Sequence, residues 1–378
     1  MLKFTEDHIL FRKNIKAFLQ KEVIPYIPKW EKDGIVPKSV WKKMGANGFL
    51  CTNLPEEFGS MDGDFLYSVI AAEEITKTNH FGLISFLHSE IVAPYINAYG
   101  SDEIKKKYLP GAVSGDTVLA IAMTEPDAGS DLASLSTTAE EDGDTVVLNG
   151  SKIFTSNGIN CDLVLVAAKD PDVQDPYKAV SLYLVEDGTP GFVKGNRLKK
   201  MGFHSQDTIE TFFSKCRIPK TNIVGKKGMG FYYLMEKLQQ ERLVCSISAV
   251  AASERVLEET IAFYKNVMLK ENLSSGPQSV QFAIVDMQTD VKLGKTFIYN
   301  LIEDHMAGKE IVTETSMAKF WTTEMARRVA DQCMDIYGLR GALEKYNIER
   351  SWRDIRSISI FAGTNEIMRQ IIAKRMEL

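Results

Sequence analysis

The chain has 378 residues, more than one compact core usually holds, so its length predicts two or three packed units. Its formal net charge of -5 gives no basic surface for nucleic acid, and its 44% hydrophobic and 25% charged residues are ordinary for a soluble enzyme subunit. Five scattered cysteines without a Cys-x-x-Cys pair, and no apolar run of roughly 18 residues, predict a cytoplasmic protein that does not enter the membrane.

Helical patterns fill the first part of the chain. Thr5 can cap a helix on which apolar residues recur on one face, namely Phe11, Ile15, Phe18 and Leu19. Helical patterns continue past the breaks at Pro37 and Pro94 to about Gly115. We therefore predict an N-terminal helical domain at residues 1–117.

After residue 117 the sequence pattern changes from helical to β-rich. Short runs there are rich in β-branched and aromatic residues: 145–149, 162–169, 179–186 and 211–213. The Asp142-Gly143 pair between two predicted strands indicates a hairpin. Because no helical pattern separates these runs, we expect an antiparallel barrel or sandwich rather than βαβ units. This middle β domain is predicted at residues 118–221.

The last part of the chain is again helical. Residues 231–265 contain neither Pro nor Gly, enough for a helix of roughly 50 Å. Helical stretches follow at about 278–307, 312–337 and 364–376. The predicted C-terminal domain, residues 222–378, is a four-helix bundle, which makes the fold mainly α with a central β domain.

A loop of small and turn-forming residues opens the β domain: Ala122-Met-Thr-Glu-Pro-Asp-Ala-Gly-Ser-Asp-Leu-Ala133. Its hydroxyls and backbone N–H groups suit the polar edge of a flat heterocycle or a phosphate. The alternative interpretation is a capped turn without a ligand. His80 and His88, eight residues apart, do not have the spacing of a shared metal site, and we predict none.

The loop closely resembles the flavin-binding signature of the acyl-CoA dehydrogenase family. Similarity continues in the same order through further segments: Gly150-Ser-Lys-Ile-Phe-Thr-Ser-Asn-Gly158, Lys200-Met-Gly-Phe-His-Ser-Gln-Asp-Thr208, Gln240-Glu-Arg-Leu243 and Phe361-Ala-Gly-Thr-Asn-Glu-Ile-Met368. The long-chain branch of the family is the best match. The resemblance implies the helical, β and helical domains of that fold, which agrees with the division above.

The resemblance also implies FAD as cofactor and assigns residues to it. Met123, Thr124, Gly129 and Ser130 correspond to residues that contact the flavin. Phe154 stands where an aromatic ring packs against it, and Ser156 where a hydroxyl bonds the ring edge. Three further positions match the cofactor site, namely Gly338, Thr364 and Glu366.

One departure from the family pattern concerns the catalytic base. Most members carry it in a Tyr-Glu-Gly-Thr segment, but this chain has Ala362 there, and alanine cannot accept a proton. The long-chain and isovaleryl branches take a glutamate from the long helix instead, and Glu241 occupies that position. The resemblance thus implies Glu241 as base, with the backbone N–H of Ala362 polarising the thioester carbonyl. A solvated helical glutamate is the alternative interpretation.

Other residues are assigned to substrate with less specific patterns. Arg242 and Ser130 correspond to family positions at the acyl-CoA site. Ser205, Asp207 and Thr208 resemble a turn near the substrate mouth, although polar turns are common.

The segments that hold the nucleotide half of FAD are altered. The region from Met268 to Asn272 lacks the family's arginine and phenylalanine. The second segment reads Asp335-Ile-Tyr-Gly-Leu-Arg-Gly341, with Asp for Gln and Leu for a glycine. Loss of an arginine on a diphosphate weakens binding by about ten- to a hundredfold, unless Arg340, Lys270 or Lys292 compensates.

The resemblance implies α,β-dehydrogenation of an acyl-CoA to the trans-2-enoyl product by a homotetramer or homodimer. Electron-transferring flavoprotein is the expected electron acceptor. One alternative substrate is an acyl group on an acyl-carrier protein. The other alternative is a catalytically silent scaffold or partner subunit, suggested by the altered nucleotide segments.

Overall fold

The computed structural model describes residues 2–270 and 277–378. Its first part is helical, and Thr5 caps the first helix through its hydroxyl, as the sequence predicts. The predicted apolar face of that helix is buried. Helices α1 to α6 span Glu6–Glu22, Ile27–Asp33, Lys38–Ala46, Phe65–Thr76, Ala93–Tyr99 and Asp102–Ser114.

A π-helical segment, Leu87–Val92, runs directly into α5. Pro94 lies in the first turn of α5 and has no N–H to give to the carbonyl of Glu90, four residues earlier. Such a break in the helical ladder changes which side chains face a neighbour. Tyr95 is the first residue after Pro94, so this break bears on the direction of its side chain.

The middle of the chain forms one curled seven-stranded sheet in the order β1-β4-β2-β3-β7-β6, with β5 on the other side of β4. The strands β1 to β7 span Leu119–Ala122, Thr138–Asp142, Thr145–Thr155, Leu163–Lys169, Val180–Glu186, Phe192–Arg197 and Ile209–Pro219. A short helix α7, Pro176–Ala179, precedes β5. The predicted hairpin joins β2 and β3, and its Gly143 has φ 61°.

The sheet is mixed rather than wholly antiparallel. Strand β1 is a direct neighbour of β4 in the sheet and runs parallel to it. In the sequence, the β2–β3 hairpin separates the two strands. Side chains of β4 alternate between two cores, Leu163 and Leu165 facing the N-terminal helices and Val164 and Val166 facing the opposite side of the sheet. Burial on both faces explains the unbroken apolar run of this strand.

The C-terminal part is a helical bundle. Helix α8, Gly230–Phe263, packs against α9, Pro277–Met306, and α10, Val312–Tyr337. Helices α11, Ile348–Ile355, and α12, Asn365–Arg375, pack against α10. The three parts follow one another in the predicted order, whereas the domain limits at 117/118 and 221/222 remain predictions. In the part of the chain described here, none of the helices has both the length and the apolar character of a bilayer span.

Candidate active site

Glu241 lies in the middle of α8 with its carboxylate turned away from water, since only 4% of the residue is exposed. The hydroxyl of Tyr95 donates a 2.8 Å hydrogen bond to its Oε1 atom. Burial raises the pKa of Glu241 to about 7, against the opposing effects of Tyr95 and the charge of Arg242. The solvated-residue interpretation therefore does not describe this glutamate. A carboxyl group that titrates near neutral pH can act as a general base.

Arg242 is buried beside Glu241. Its Nη1 atom lies 3.5 Å from the hydroxyl of Ser316, and among the described residues its Nε atom has no hydrogen-bond partner. Burial lowers the pKa of Arg242, and the charge of Glu241 raises it. A buried guanidinium with so few partners retains donors for a polar ligand.

Ala362 and Gly363 form a turn in left-handed conformation, with φ 54° and 85°. Lys319, fully buried in α10, donates a 2.6 Å hydrogen bond to the carbonyl of Gly363 and a 3.1 Å bond to Asn365 Oδ1. Thr364 caps α12 by accepting from the N–H of Ile367. The turn is thus fixed from both sides. A positive φ such as that of Ala362 is uncommon for a residue other than glycine.

Glu241 and this turn share one side of α8. Cys245 is four residues after Glu241 and therefore lies on the same face of the helix. Its Sγ atom lies 3.8 Å from the carbonyl of Ile358, in the segment that leads into the turn. The structure therefore brings the two predicted catalytic positions, Glu241 and Ala362, to the same region.

The 122–133 loop is anchored by one buried carboxylate. Glu125 accepts from the N–H groups of Ser136 and Thr137 and from the hydroxyl of Ser136. Lys152, also buried, donates to Glu125 and to the carbonyl of Met123. These bonds leave Gly129 and Ser130 at the surface, where backbone groups can meet a ligand.

Predicted flavin residues of the loop and of β3 lie side by side. The N–H of Ile153 donates a 2.8 Å bond to the carbonyl of Thr124. The next residue, Phe154, has φ 60° and is 60% exposed, so its ring presents a flat apolar face. The hydroxyl of Ser156 lies 3.3 Å from that of Thr208. Met123, Thr124, Phe154 and Ser156 are thus brought together.

The 200–208 loop connects the three parts of the chain. Ser205 is buried, with its hydroxyl 2.5 Å from His80 Nε2 and bonded to Glu31. The N–H of Phe203 donates a 2.6 Å bond to Asp354. Asp207 is buried and accepts from the N–H of Asn160, and burial raises its pKa to about 6.

These contacts distinguish the three residues of the predicted substrate turn, Ser205, Asp207 and Thr208. Ser205 and Asp207 are occupied by structural partners. Thr208 contacts a predicted cofactor residue, Ser156.

Gly338 is not brought to this site within the chain. It follows the C-terminal end of α10, whereas Lys319, which contacts the 361–364 turn, lies near the start of the same helix. Gly338 is nineteen positions after Lys319, a rise of about 28 Å along the helix. Glu366 lies in the exposed first turn of α12, where its own backbone N–H lowers its pKa. The predicted changes between Met268 and Asn272 fall partly on residues 271–276, which lie outside the described residues.

Sequence reasoning missed Tyr95, Lys319 and the Glu125–Lys152 pair. The contact of Tyr95 with Glu241 joins positions 146 residues apart, and no local pattern encodes it. Lys319 had a weak signal, because it follows Met317 and Ala318 and precedes Phe320 and Trp321 in an apolar stretch.

The fold and site together define a class of protein, the FAD-dependent oxidoreductases that act on the CH–CH bond of acyl thioesters. The chain matches the N-terminal, middle and C-terminal domains of acyl-CoA dehydrogenases at residues 5–116, 120–216 and 228–377. It belongs to the acyl-CoA dehydrogenase family.

Individual relatives agree along the whole chain. The mitochondrial long-chain specific acyl-CoA dehydrogenase of Sus scrofa is 40% identical over 99% of this chain and 87% of its own length. The crystal structure of an acyl-CoA dehydrogenase from Geobacillus kaustophilus superposes with a TM-score of 0.96 at 48% identity, covering 99% of both chains. Butyryl-CoA dehydrogenase from Megasphaera elsdenii gives 0.93 at 28% identity, covering 100% of both.

Proposed function

We propose that this chain oxidises a saturated acyl-CoA to the trans-2-enoyl-CoA with Glu241 as the base that takes the α-proton. The observation that carries the proposal is the buried carboxylate of Glu241, whose pKa is raised to about 7 by burial. An ionised carboxylate in a dry site is a far stronger base than the same group in water. The α-proton goes to Glu241, and the β-hydrogen leaves with its electron pair as hydride.

Donors at the thioester carbonyl stabilise the enolate character that develops as the α-proton leaves. The N–H of Ala362 is proposed as one donor, because Lys319 and the cap at Thr364 fix the turn around it. Arg242 is proposed to contact the polar part of the acyl-CoA, since its buried guanidinium has few protein partners. Ser130 is exposed at the loop edge, where it can reach substrate or cofactor.

The residues at the β domain fit a flavin ring. Phe154 offers an exposed aromatic face, Thr124 and Ser156 offer hydroxyls, and Gly129 and Ser130 offer exposed backbone. Met123 belongs to the same loop, where its carbonyl accepts from Lys152, and Thr364 is proposed to contact the flavin from the start of α12. FAD bound there supplies the hydride acceptor, which protein side chains lack. Glu366 is proposed to contact it through the exposed first turn of α12.

We propose that the nucleotide half of FAD is completed by a second subunit in a homotetramer or homodimer. The rise of about 28 Å along α10 from Lys319, which contacts the 361–364 turn, to Gly338 supports this, because it places Gly338 at the far end of the helix from that turn. Leu339 is 95% exposed beside Gly338, and Phe282, Val285 and Leu343 are also exposed on the bundle. Contiguous exposed apolar patches mark subunit contacts, and these residues are proposed to contribute to one.

Two further statements remain predictions. Electron-transferring flavoprotein is proposed as the acceptor that reoxidises the enzyme. A cytoplasmic location is proposed because all five cysteines are free and buried, the state expected of a reducing compartment.

The experiment replaces the carboxylate by its amide. Glu241→Gln should retain flavin and acyl-CoA binding but lose turnover by about 10² to 10⁴-fold, the usual contribution of a general base. Turnover is measured as reduction of electron-transferring flavoprotein by acyl-CoA, and flavin content by visible absorbance. Glu258→Gln, an exposed position of the same helix, is the matched control.

The outcomes separate the candidates. Near-native turnover of Glu241→Gln overturns the assignment of the base. A native preparation that takes up no FAD supports the silent scaffold. Turnover only with acyl groups on a carrier protein supports the alternative substrate.

A further inference from the structure

Tyr95 contacts the proposed base from another element of the fold. It is completely buried in α5, and its hydroxyl donates to Glu241 Oε1 at 2.8 Å. Burial raises the pKa of Tyr95 well above its ordinary value, and the charge of Glu241 raises it further. The phenol therefore stays protonated across the working pH range and remains a donor.

The break before α5 aligns this phenol with α8. Because Pro94 cannot donate to the carbonyl of Glu90, that carbonyl is left without its helical i+4 donor. Gln240 Nε2 donates to it at 2.9 Å. Two consecutive residues of α8, Gln240 and Glu241, are thus bonded to the same segment, one to its backbone and one to Tyr95.

A carboxylate has two oxygens, and a donor held on one of them fixes the direction of the other. Rotation about the last side-chain bond of Glu241 would otherwise scatter both oxygens over a wide arc. Fixing one reacting atom near its partner is a large part of enzymatic rate acceleration. A phenol donor also favours the ionised carboxylate over the neutral acid.

We propose that Tyr95 is a positioning residue for this reaction, whose hydroxyl holds one oxygen of Glu241 and directs the other toward the α-carbon of the acyl group. This inference rests on the proposed role of Glu241 as base. Tyr95 itself transfers no proton to or from the substrate.

The other charged groups around Glu241 do not replace this donor. Arg242, on the same helix, acts on Glu241 through its charge. Lys319 of α10 is bonded to the 361–364 turn, and its charge acts on Arg242 and Cys245. The side chain of Glu90, in the π-helical segment, is bonded to Ser68 of α4.

The test is the pH dependence of kcat/KM in Tyr95→Phe. Loss of one donor to a charged group should move the acid limb to higher pH by about one unit, with turnover about tenfold lower below the limb. Flavin content should stay native, because the hydrogen bond lost in this variant is the one to Glu241 of α8. Tyr99→Phe is the matched control: Tyr99 lies one turn on in the same helix and stacks on Tyr233 at 3.9 Å.

The acid limb distinguishes positioning from a merely structural role. If Tyr95→Phe lowers stability or flavin content but leaves the acid limb in place, the inference is wrong. If Tyr95→Phe does not fold, Gln240→Leu is measured in its place, because Gln240 is less buried. The acid limb should then move in the same direction. An unmoved limb there also overturns the inference.

The two proposals fail separately. Near-native turnover in Glu241→Gln overturns the base itself, whatever Tyr95 does. Loss of turnover in Glu241→Gln with an unmoved limb in Tyr95→Phe leaves the base standing and overturns only the positioning role.

Discussion

Lys152 and Glu125 form an ion pair inside the protein, with 2.8 Å between Nζ and Oε1 and both side chains shielded from water. The pair joins β3 to the 122–133 loop, which carries four of the proposed flavin contacts. Each partner is also bonded to the backbone of the loop or of the segment after it. The local geometry of the flavin site therefore depends on this pair.

We predict that Glu125→Ala destabilises the protein by about 3 to 5 kcal/mol, because it leaves the ammonium of Lys152 buried without its carboxylate. The loop should loosen and flavin should dissociate during purification. Unfolding midpoints and flavin per chain check this, with exposed Glu140→Ala on β2 as control. A Glu125→Ala protein that is stable and fully loaded with flavin would contradict the prediction.

The same pair predicts acid sensitivity. Although burial raises the pKa of Glu125, hydrogen bonds from Lys152, Ser136 and Thr137 lower it to about 2. A folded-state pKa below the ordinary value of 4.5 contributes stability above pH 4.5 and loses it as the pH falls toward 2. Glu125→Gln should show a weaker loss of stability across that range. An equally steep loss in both proteins would show that other carboxylates dominate.

Lys319 is predicted to act on the rate through the 361–364 turn. Lys319→Met leaves the carbonyl of Gly363 without its donor, at a cost of about 1 to 3 kcal/mol, and frees the turn to move. We expect lower kcat and a lower unfolding midpoint. Lys374→Met, exposed in the last turn of α12, should change neither. A fully active and equally stable Lys319→Met would show that the 361–364 turn keeps its conformation without Lys319.

Ala362 is predicted to act only through its backbone. Ala362→Gly removes a Cβ from a left-handed position, so turnover should be retained and stability should change by no more than about 1 kcal/mol. Ala362→Glu in the Glu241→Gln background should recover part of the lost turnover, since both positions face the same region. Loss of activity in Ala362→Gly would contradict a backbone role.

The long elements of the fold were predictable from sequence, and the short ones were not. Helix α8 shows a long stretch free of Pro and Gly, and the β2–β3 hairpin shows its turn residues. Strand β1 has only four residues and no alternation, because it is buried on both faces. Helix α11 is short and rich in charge, with Glu349, Arg350 and Arg353 in eight residues.

The candidate site divides in the same way. Glu241 and the loop residues were found because the sequence keeps whole family segments in order. Their supports, Tyr95 and Lys319, come from elements distant in sequence, and their roles arise only when the helices pack. A buried lysine and a buried tyrosine look ordinary in a helical pattern, since burial is a property of the fold.

The last prediction uses the linkage between the buried charge of Glu241 and stability. Because burial raises the pKa of Glu241 from 4.5 to about 7, the folded protein holds a proton that the unfolded chain releases. Native stability should therefore fall as the pH rises from 4.5 to 7, by on the order of 3 kcal/mol from this group. Glu241→Gln has no such proton. The difference between its unfolding midpoint and that of the native protein should therefore rise from pH 4.5 to 7 and level off above pH 7.

Glu90 provides the matched comparison. It is buried too, and burial raises its pKa to about 7, but its side chain is bonded to Ser68 and not to the active site. Glu90→Gln should show the same pH-dependent gain in midpoint with native turnover, whereas Glu241→Gln should gain stability and lose turnover. Equal midpoint differences at pH 5 and pH 8 in Glu241→Gln would mean that its carboxyl titrates at an ordinary pKa and cannot serve as a neutral-pH base.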